Sequence, residues 1–123
     1  MKKILIIDDD PEIVNLTKSR LEANHYQVVT ASNGEEGARL TAKENPDLII
    51  VDIKMPKADG YTFVRSLKKD ETHKKIPVIV LTAYGAMKDM FEIEGVDGYM
   101  VKPFKADELL DKVSGCLRGN LNR

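Results

Sequence analysis

Five short apolar runs recur along the chain, and a longer polar stretch separates each run from the next. They cover residues 3–7, 27–31, 47–51, 77–81 and 98–102. Three of them are nearly continuous in valine, isoleucine and leucine rather than alternating with polar residues. That composition predicts strands that are buried on both faces, as the strands of a parallel sheet usually are.

The stretches between these runs have the spacing of helices. We predict helices over residues 11–24, 34–44, 59–69, 86–94 and 106–117. In the second helix, Ala38, Leu40 and Thr41 are expected near the buried face. The last helix has the clearest apolar stripe, made of Leu109, Leu110, Val113, Cys116 and Leu117, which recur at the intervals of one helix face.

The alternation of strand and helix predicts an α/β fold. Right-handed crossover connections favour a doubly wound, five-stranded parallel sheet with helices on both faces. The corresponding strand order is 2-1-3-4-5, as in flavodoxin-like folds. Because we find no linker and no change of composition, residues 1–123 are predicted to form a single domain.

Composition and charge exclude several classes of protein. The net charge of −1 gives no broad attraction to nucleic acid or to an anionic membrane. No apolar run approaches the roughly 20 residues that a membrane-spanning helix needs. The single cysteine, Cys116, cannot form an internal disulfide and fits a reducing compartment. We therefore expect a cytoplasmic protein that contacts neither nucleic acid nor membrane directly.

Polar residues stand where four of the predicted strands end. The first strand runs into Asp8, Asp9 and Asp10, the third into Asp52, the fourth into Thr82 and the fifth into Lys102. Any one of these could simply cap the following helix, and Asp10 beside Pro11 is interpreted in that way. In the predicted strand order, however, the carboxyl ends of these strands are neighbours, so the remaining side chains should converge on one crevice.

A crevice with this composition is suited to a hard cation. Clustered carboxylates repel one another, and the repulsion persists in a folded protein only if a cation offsets it. Mg²⁺ prefers carboxylate oxygens, water and phosphate oxygens as ligands. Together with an ammonium and a hydroxyl, such a metal site has the parts for phosphoryl transfer, in which an aspartate can act as the nucleophile.

Four segments carry a family resemblance. ILIIDDDP, DLIIVDIKMPKADGY, PVIVLTA and GYMVKPF occur in this order, and together they resemble the receiver domain of bacterial two-component response regulators. The resemblance implies Mg²⁺- or Mn²⁺-dependent transfer of a phosphoryl group from the phosphohistidine of a sensor histidine kinase or a histidine phosphotransfer domain. Such a domain catalyses its own phosphorylation and dephosphorylation, but it works primarily as a switch that a downstream effector protein or domain reads.

The resemblance also implies roles for residues of the metal site. Asp52 corresponds to the phosphoryl acceptor and also contributes to the metal site. Asp9 corresponds to a direct metal ligand and Asp8 to a ligand that acts through water. The main-chain carbonyl of Lys54 would complete the protein's share of the coordination.

Further positions correspond to the catalytic residues, the cis peptide and the switch of the family, and the switch consists of Thr82 and Tyr99. Thr82 matches the hydroxyl that hydrogen-bonds the phosphoryl group, and Lys102 matches the lysine that pairs with the acceptor. The Lys102–Pro103 bond resembles a cis peptide of the family. Tyr99 matches an aromatic residue whose ring turns inward when Thr82 moves.

Two positions are expected to set the lifetime of the phosphorylated state. In the family, the residues matching Lys54 and Tyr84 flank the path of the attacking water. Because both side chains are long or bulky, the resemblance implies slow self-dephosphorylation.

The segment from Thr82 to Lys102 is about two residues shorter than is usual in the family, and the difference falls in the predicted helix 86–94. This helix, the fifth strand and the fifth helix commonly form the output face, which could also hold a homodimer. The shortening puts the usual geometry of that face in doubt.

Two alternatives stay open. The 8–10 spacing of two aspartates is also found in haloacid-dehalogenase-like phosphotransferases, although here no cap domain would bind a substrate and Lys54 follows Asp52 at the usual place of a second acid. A receiver-like domain that only binds would be marked by a missing acceptor, threonine or lysine, and none is missing.

Overall fold

The computed structural model of the chain describes residues 1–53, 59–83 and 96–119. The predictions for Lys54, for Tyr84 and for a helix over 86–94 lie outside these residues. The elements, in chain order, are β1 (Lys3–Ile7), α1 (Pro11–Ala23), β2 (Gln27–Ala31), α2 (Gly34–Glu44), β3 (Leu48–Asp52), α3 (Asp59–Lys69), β4 (Val78–Ala83), β5 (Gly98–Lys102) and α4 (Ala106–Gly119).

The five strands form one parallel sheet in the order β2-β1-β3-β4-β5. The predicted fold class and strand order are therefore confirmed. Two strand boundaries differ from the prediction, because β3 includes Asp52 and β4 extends through Thr82 to Ala83. Both polar residues pair within the ladder, Asp52 with Leu81 and Thr82 with Val101. The sheet thus holds their main chains directly.

The sheet is buried on both faces because successive side chains of a strand point to opposite sides. On one side, alternate residues of β1, β3 and β4 pack with residues of α3. That layer includes Leu5, Ile7, Ile49, Val51, Val78, Val80, Phe63, Val64 and Leu67. The other layer packs against α1 and α4 and includes Ile4, Ile6, Leu48, Ile50, Ile79, Leu81, Leu21, Leu109 and Val113. This double burial explains the near-continuous apolar runs.

The start of α1 agrees with the interpretation of Asp10. Its side chain accepts a hydrogen bond from the Glu12 amide at 3.0 Å, and Pro11 occupies the first helical turn. An acidic cap satisfies an otherwise unpaired amide at a helix start. Asp10 is therefore a structural residue, and the three consecutive aspartates do not share one role.

The prediction for the buried face of α2 was wrong at Ala38, which is exposed. The residues buried there are Gly34, Gly37 and Thr41. A side chain at Gly37 would overlap Cδ1 of Ile7, so its absence lets α2 lie close to β1 without displacing the Ile7 side chain. The hydroxyl of Thr41 donates a hydrogen bond to the Gly37 carbonyl at 2.7 Å, which allows a polar residue to be buried.

A membrane-spanning segment is not found in the described parts of the chain, because none of their helices is both long and apolar enough to cross a bilayer.

Candidate functional site

The carboxyl ends of four strands meet at one edge of the sheet and bring the predicted side chains together. Asp8 directly follows β1, and its amide donates to the Ala31 carbonyl at 3.0 Å, which extends the ladder by one residue. Asp52 is the last residue of β3, and Lys102 is the last residue of β5. The parallel sheet therefore places two carboxylates at the ends of the neighbouring strands β1 and β3, and an ammonium at the same edge of the sheet, at the end of β5.

Lys102 connects two buried carboxylates. Its Nζ lies 2.9 Å from Oδ2 of Asp52 and 3.1 Å from Oδ2 of Asp8. The residues Asp8 and Asp52 are only 2% and 4% exposed. Buried charges persist when they are paired and hydrogen-bonded, and the lysine supplies both forms of compensation.

Asp9 adds a third carboxylate from the solvent side. One oxygen from each of Asp8, Asp9 and Asp52 lies within 4.8 Å of the others. Asp8 is oriented by the Asp10 amide, which donates to its Oδ1 at 3.0 Å. Asp9 is exposed, so the group is open to water and ions. Among these four side chains, negative charge exceeds positive charge.

The ionisation of the site follows from burial and pairing. Burial raises the pKa of Asp8 and the Asp52 carboxylate adds to this effect, although the Asp10 amide and Lys102 oppose it. For Lys102, burial alone would lower the pKa of the ammonium, but the hydrogen bonds and charges of Asp52 and Asp8 outweigh burial and raise it. Lys102 therefore stays charged, and an additional cation would favour the ionised form of Asp8.

The donor set fits a hard divalent ion. Three carboxylate oxygens within 4.8 Å of one another are ligands of the type that Mg²⁺ and Mn²⁺ select. A bound cation would compensate the negative charge of these three carboxylates, which the single Lys102 ammonium does not balance. We conclude that Asp8, Asp9 and Asp52 could hold a metal ion.

Thr82, Tyr99 and Pro103, three further predicted residues that the structure describes, lie in β4 and β5 or directly after β5. Thr82 is fully buried in β4, and the next residue, Ala83, pairs with Lys102. The Lys102–Pro103 peptide bond is cis, as the resemblance implies. Tyr99 lies in β5 opposite Val80 and is 40% exposed, so its side chain is directed at least partly to solvent.

The structure separates Asp10 from the carboxylate group. Its side chain caps α1 by accepting a hydrogen bond from the Glu12 amide. It does not belong to the cluster of Asp8, Asp9 and Asp52 that could hold a metal. This weakens the dehalogenase-like alternative, which needs Asp8 and Asp10 as a catalytic pair. Gly60, which the sequence indicated only as part of the turn into the third helix, lies against the main chain of Asp52.

Comparison with known proteins agrees with the site. The model of the response regulator receiver domain family matches residues 4–114, and the chain belongs to this family. The chain functions in two-component signalling as a receiver domain. This confirms the resemblance that the four sequence segments carry.

One curated relative is the DNA-binding dual master transcriptional regulator RpaA of a Synechocystis strain. It is 42% identical over 120 residues, which are 96% of this chain and 50% of RpaA. The chain thus spans about half the length of the curated relatives it matches.

Two solved structures are similar over nearly the whole chain. A response regulator receiver domain protein from Clostridium thermocellum has a TM-score of 0.87 at 34% identity and covers 100% of both chains. The receiver domain of the sensor histidine kinase PA1611 from Pseudomonas aeruginosa has a TM-score of 0.85 at 27% identity. It covers 94% of this chain and 97% of that chain, and it was solved with a magnesium ion coordinated in its active-site cleft.

Proposed function

We propose that residues 1–123 form one phospho-acceptor domain, in which Asp52 receives a phosphoryl group from the phosphohistidine of a histidine kinase or histidine phosphotransfer domain. The observation that carries the proposal is the position of Asp52. Its carboxylate is buried at the end of a central strand, 2.9 Å from the Lys102 ammonium and beside two further carboxylates. Few structural roles would require such a concentration of charge.

In the proposed reaction, a carboxylate oxygen of Asp52 attacks phosphorus while the bond from phosphorus to the imidazole nitrogen breaks. The electron pair of that bond stays on the imidazole. Lys102, already within hydrogen-bond distance of the acceptor, is placed to neutralise the oxygens of the transferred group. A bound Mg²⁺ would supply further neutralisation of phosphoryl charge, and Asp8, Asp9, Asp52 and the main-chain carbonyl of Lys54 would hold it.

We further propose that Thr82 and Tyr99 report the phosphorylation state. Thr82 is fully buried in β4, and its hydroxyl would shift to form a hydrogen bond with the new phosphoryl group. Tyr99 lies in the neighbouring strand and is 40% exposed, and its ring would turn inward when Thr82 moves. A partner that binds better to one position shifts the population toward it.

The proposed output passes through a partner. The printed name of RpaA describes a DNA-binding transcriptional regulator, and we propose that an effector protein or domain likewise reads the switch here. The net charge of −1 supports indirect rather than direct contact with DNA. The face formed by β5, α4 and the predicted helix over 86–94 is the proposed contact surface for the effector or for a second copy.

Phosphoramidate tests this function because its phosphorus–nitrogen bond imitates that of phosphohistidine. We expect the chain to acquire one acyl phosphate, which hydroxylamine cleaves, when phosphoramidate and Mg²⁺ are supplied together. Chelation of the metal with EDTA should reduce the labelling severely. Labelling that is equally fast with and without the metal would contradict the metal-dependent part of the proposal.

The phosphorylated state is expected to decay slowly because of Lys54 and Tyr84. A Lys54→Asn variant should lose its phosphoryl group several-fold faster, since a shorter side chain leaves the path of the attacking water more open. The decay is followed after removal of the phosphodonor, with wild-type protein alongside. Loss from the wild type within seconds, or equal decay of the two proteins, would contradict this prediction.

A further inference from the structure

The first turn of α3 lies directly against the main chain of the acceptor. Gly60 is the second residue of this helix and is buried. A methyl group built on its Cα would stand 2.6 Å from the Asp52 carbonyl oxygen and 2.7 Å from Cα of Ile53. Both atoms belong to the backbone, so no side-chain rotation could relieve the contact.

The peptide group between Asp52 and Ile53 is therefore held from two sides. The Ile53 amide donates a hydrogen bond to the Leu81 carbonyl of β4 at 3.1 Å. Gly60 covers the same peptide group from α3. The Asp52 side chain branches from the Cα that is bonded to this peptide group. A displacement of the peptide group therefore also moves the acceptor carboxylate relative to Lys102.

We propose that Gly60 is a positioning residue for the acceptor, and this inference rests on the proposed phosphorylation of Asp52. Its missing side chain lets α3 close on the Asp52–Ile53 peptide and keeps the carboxylate at its distance from the Lys102 ammonium. Restoring ordinary contact at 3.4 Å after addition of a methyl group would move the carbonyl by roughly 0.8 Å. Misplacement of about 1 Å can slow a positioned reaction by about a hundredfold.

The test is the Gly60→Ala variant, phosphorylated with acetyl phosphate at saturating Mg²⁺. We expect the maximal rate of labelling to fall by a factor on the order of 10 to 100. The half-saturating concentration of acetyl phosphate should change little, because the substitution displaces the acceptor rather than the donor's path. Urea unfolding of the same preparation gives the folded fraction, so a loss of folded protein can be separated from a loss of rate.

Two other glycines serve as controls. Gly37→Ala introduces a comparable overlap, but with the flexible end of the Ile7 side chain in the layer beneath α2. Gly115 lies in α4, and the methyl group that Gly115→Ala adds would have no atom within 4 Å. Both variants should label at the wild-type rate once corrected for the folded fraction, even if Gly37→Ala is less stable.

The outcomes separate this inference from the proposed function. If wild-type protein is not labelled at Asp52, the proposed function fails. If the wild type is labelled and folded Gly60→Ala is labelled within twofold of it, only the role of Gly60 is overturned. Should Gly60→Ala unfold, the rates are compared in trimethylamine N-oxide, which favours compact states. A variant that stays unfolded there also overturns the inference, since the glycine would then serve the fold alone.

Discussion

Replacement of Lys102 by methionine is expected to slow phosphorylation of Asp52 by a factor on the order of 10² to 10³, the usual effect of removing one donor from a preorganised anion site. The ammonium lies 2.9 Å from the acceptor and 3.1 Å from Asp8. Methionine keeps most of the length and apolar contact of the side chain while it removes the charge. The rate is measured with acetyl phosphate at saturating Mg²⁺.

The same variant should lose stability when metal is absent. Removal of one partner from a buried ion pair costs about 3 kcal/mol or more, because it leaves buried charge without compensation.

The pKa of Asp8 is already raised by burial and by Asp52, and it should rise further without the lysine. A carboxyl whose pKa is higher in the folded state binds more protons there than in the unfolded state. The free energy of unfolding should therefore fall as pH rises from the unfolded value of 3.8 through the folded pKa.

Lys3→Met is a matched control for Lys102→Met. The Lys3 ammonium also forms a 3.0 Å ion pair, with Glu44, and its side chain is 22% exposed against 20% for Lys102. The pair lies at the opposite end of β1, so its loss should leave the phosphorylation rate unchanged. Equal rates in Lys102→Met and Lys3→Met would contradict the role of Lys102.

Removal of the Asp9 carboxylate is expected to abolish most of the stabilisation of the fold by Mg²⁺. An ion that binds only the folded state raises the free energy of unfolding by about 2.7 kcal/mol when its concentration is a hundred times its Kd. Asp9→Asn weakens that binding, because a charged ligand is lost from a group of three. Without metal, the variant should be slightly more stable than the wild type, since the repulsion among the carboxylates is smaller.

Urea unfolding with Mg²⁺ and with EDTA measures both effects. Asp10→Asn is the control, because it removes the neighbouring charge while asparagine still caps α1. This variant should keep the full response to Mg²⁺. The account of the metal site is wrong if Asp9→Asn responds to Mg²⁺ as strongly as the wild type does.

The sequence pattern predicted the fold well because nearly all of the sheet is covered on both faces. Apolar runs such as residues 48–51 have no exposed side, so their composition marks them as central strands. The pattern was less accurate where polarity and structure disagree. Asp52 and Thr82 are polar and were placed after their strands, although both are paired within the ladder.

The convergence of Asp8, Asp52 and Lys102 could be predicted because strand order alone brings those positions together. The different burial of Asp8 and Asp9 could not, since neighbouring identical residues differ only in the direction their side chains take. Ala38 and Gly37 show the same limit on α2, where close packing on Ile7 selects the glycine face. Gly60 likewise depends on how closely the first turn of α3 packs on the end of β3, which no periodicity reveals.

Mass spectrometry after treatment with acetyl phosphate and Mg²⁺ tests the central claim most directly. The account predicts a gain of one phosphoryl group on the intact chain, with the modified peptide containing Asp52. Asp52→Asn should abolish the gain while it leaves the fold intact. Labelling that persists undiminished in Asp52→Asn, or that maps to another residue in the wild type, would contradict the claim that Asp52 is the phosphoryl acceptor.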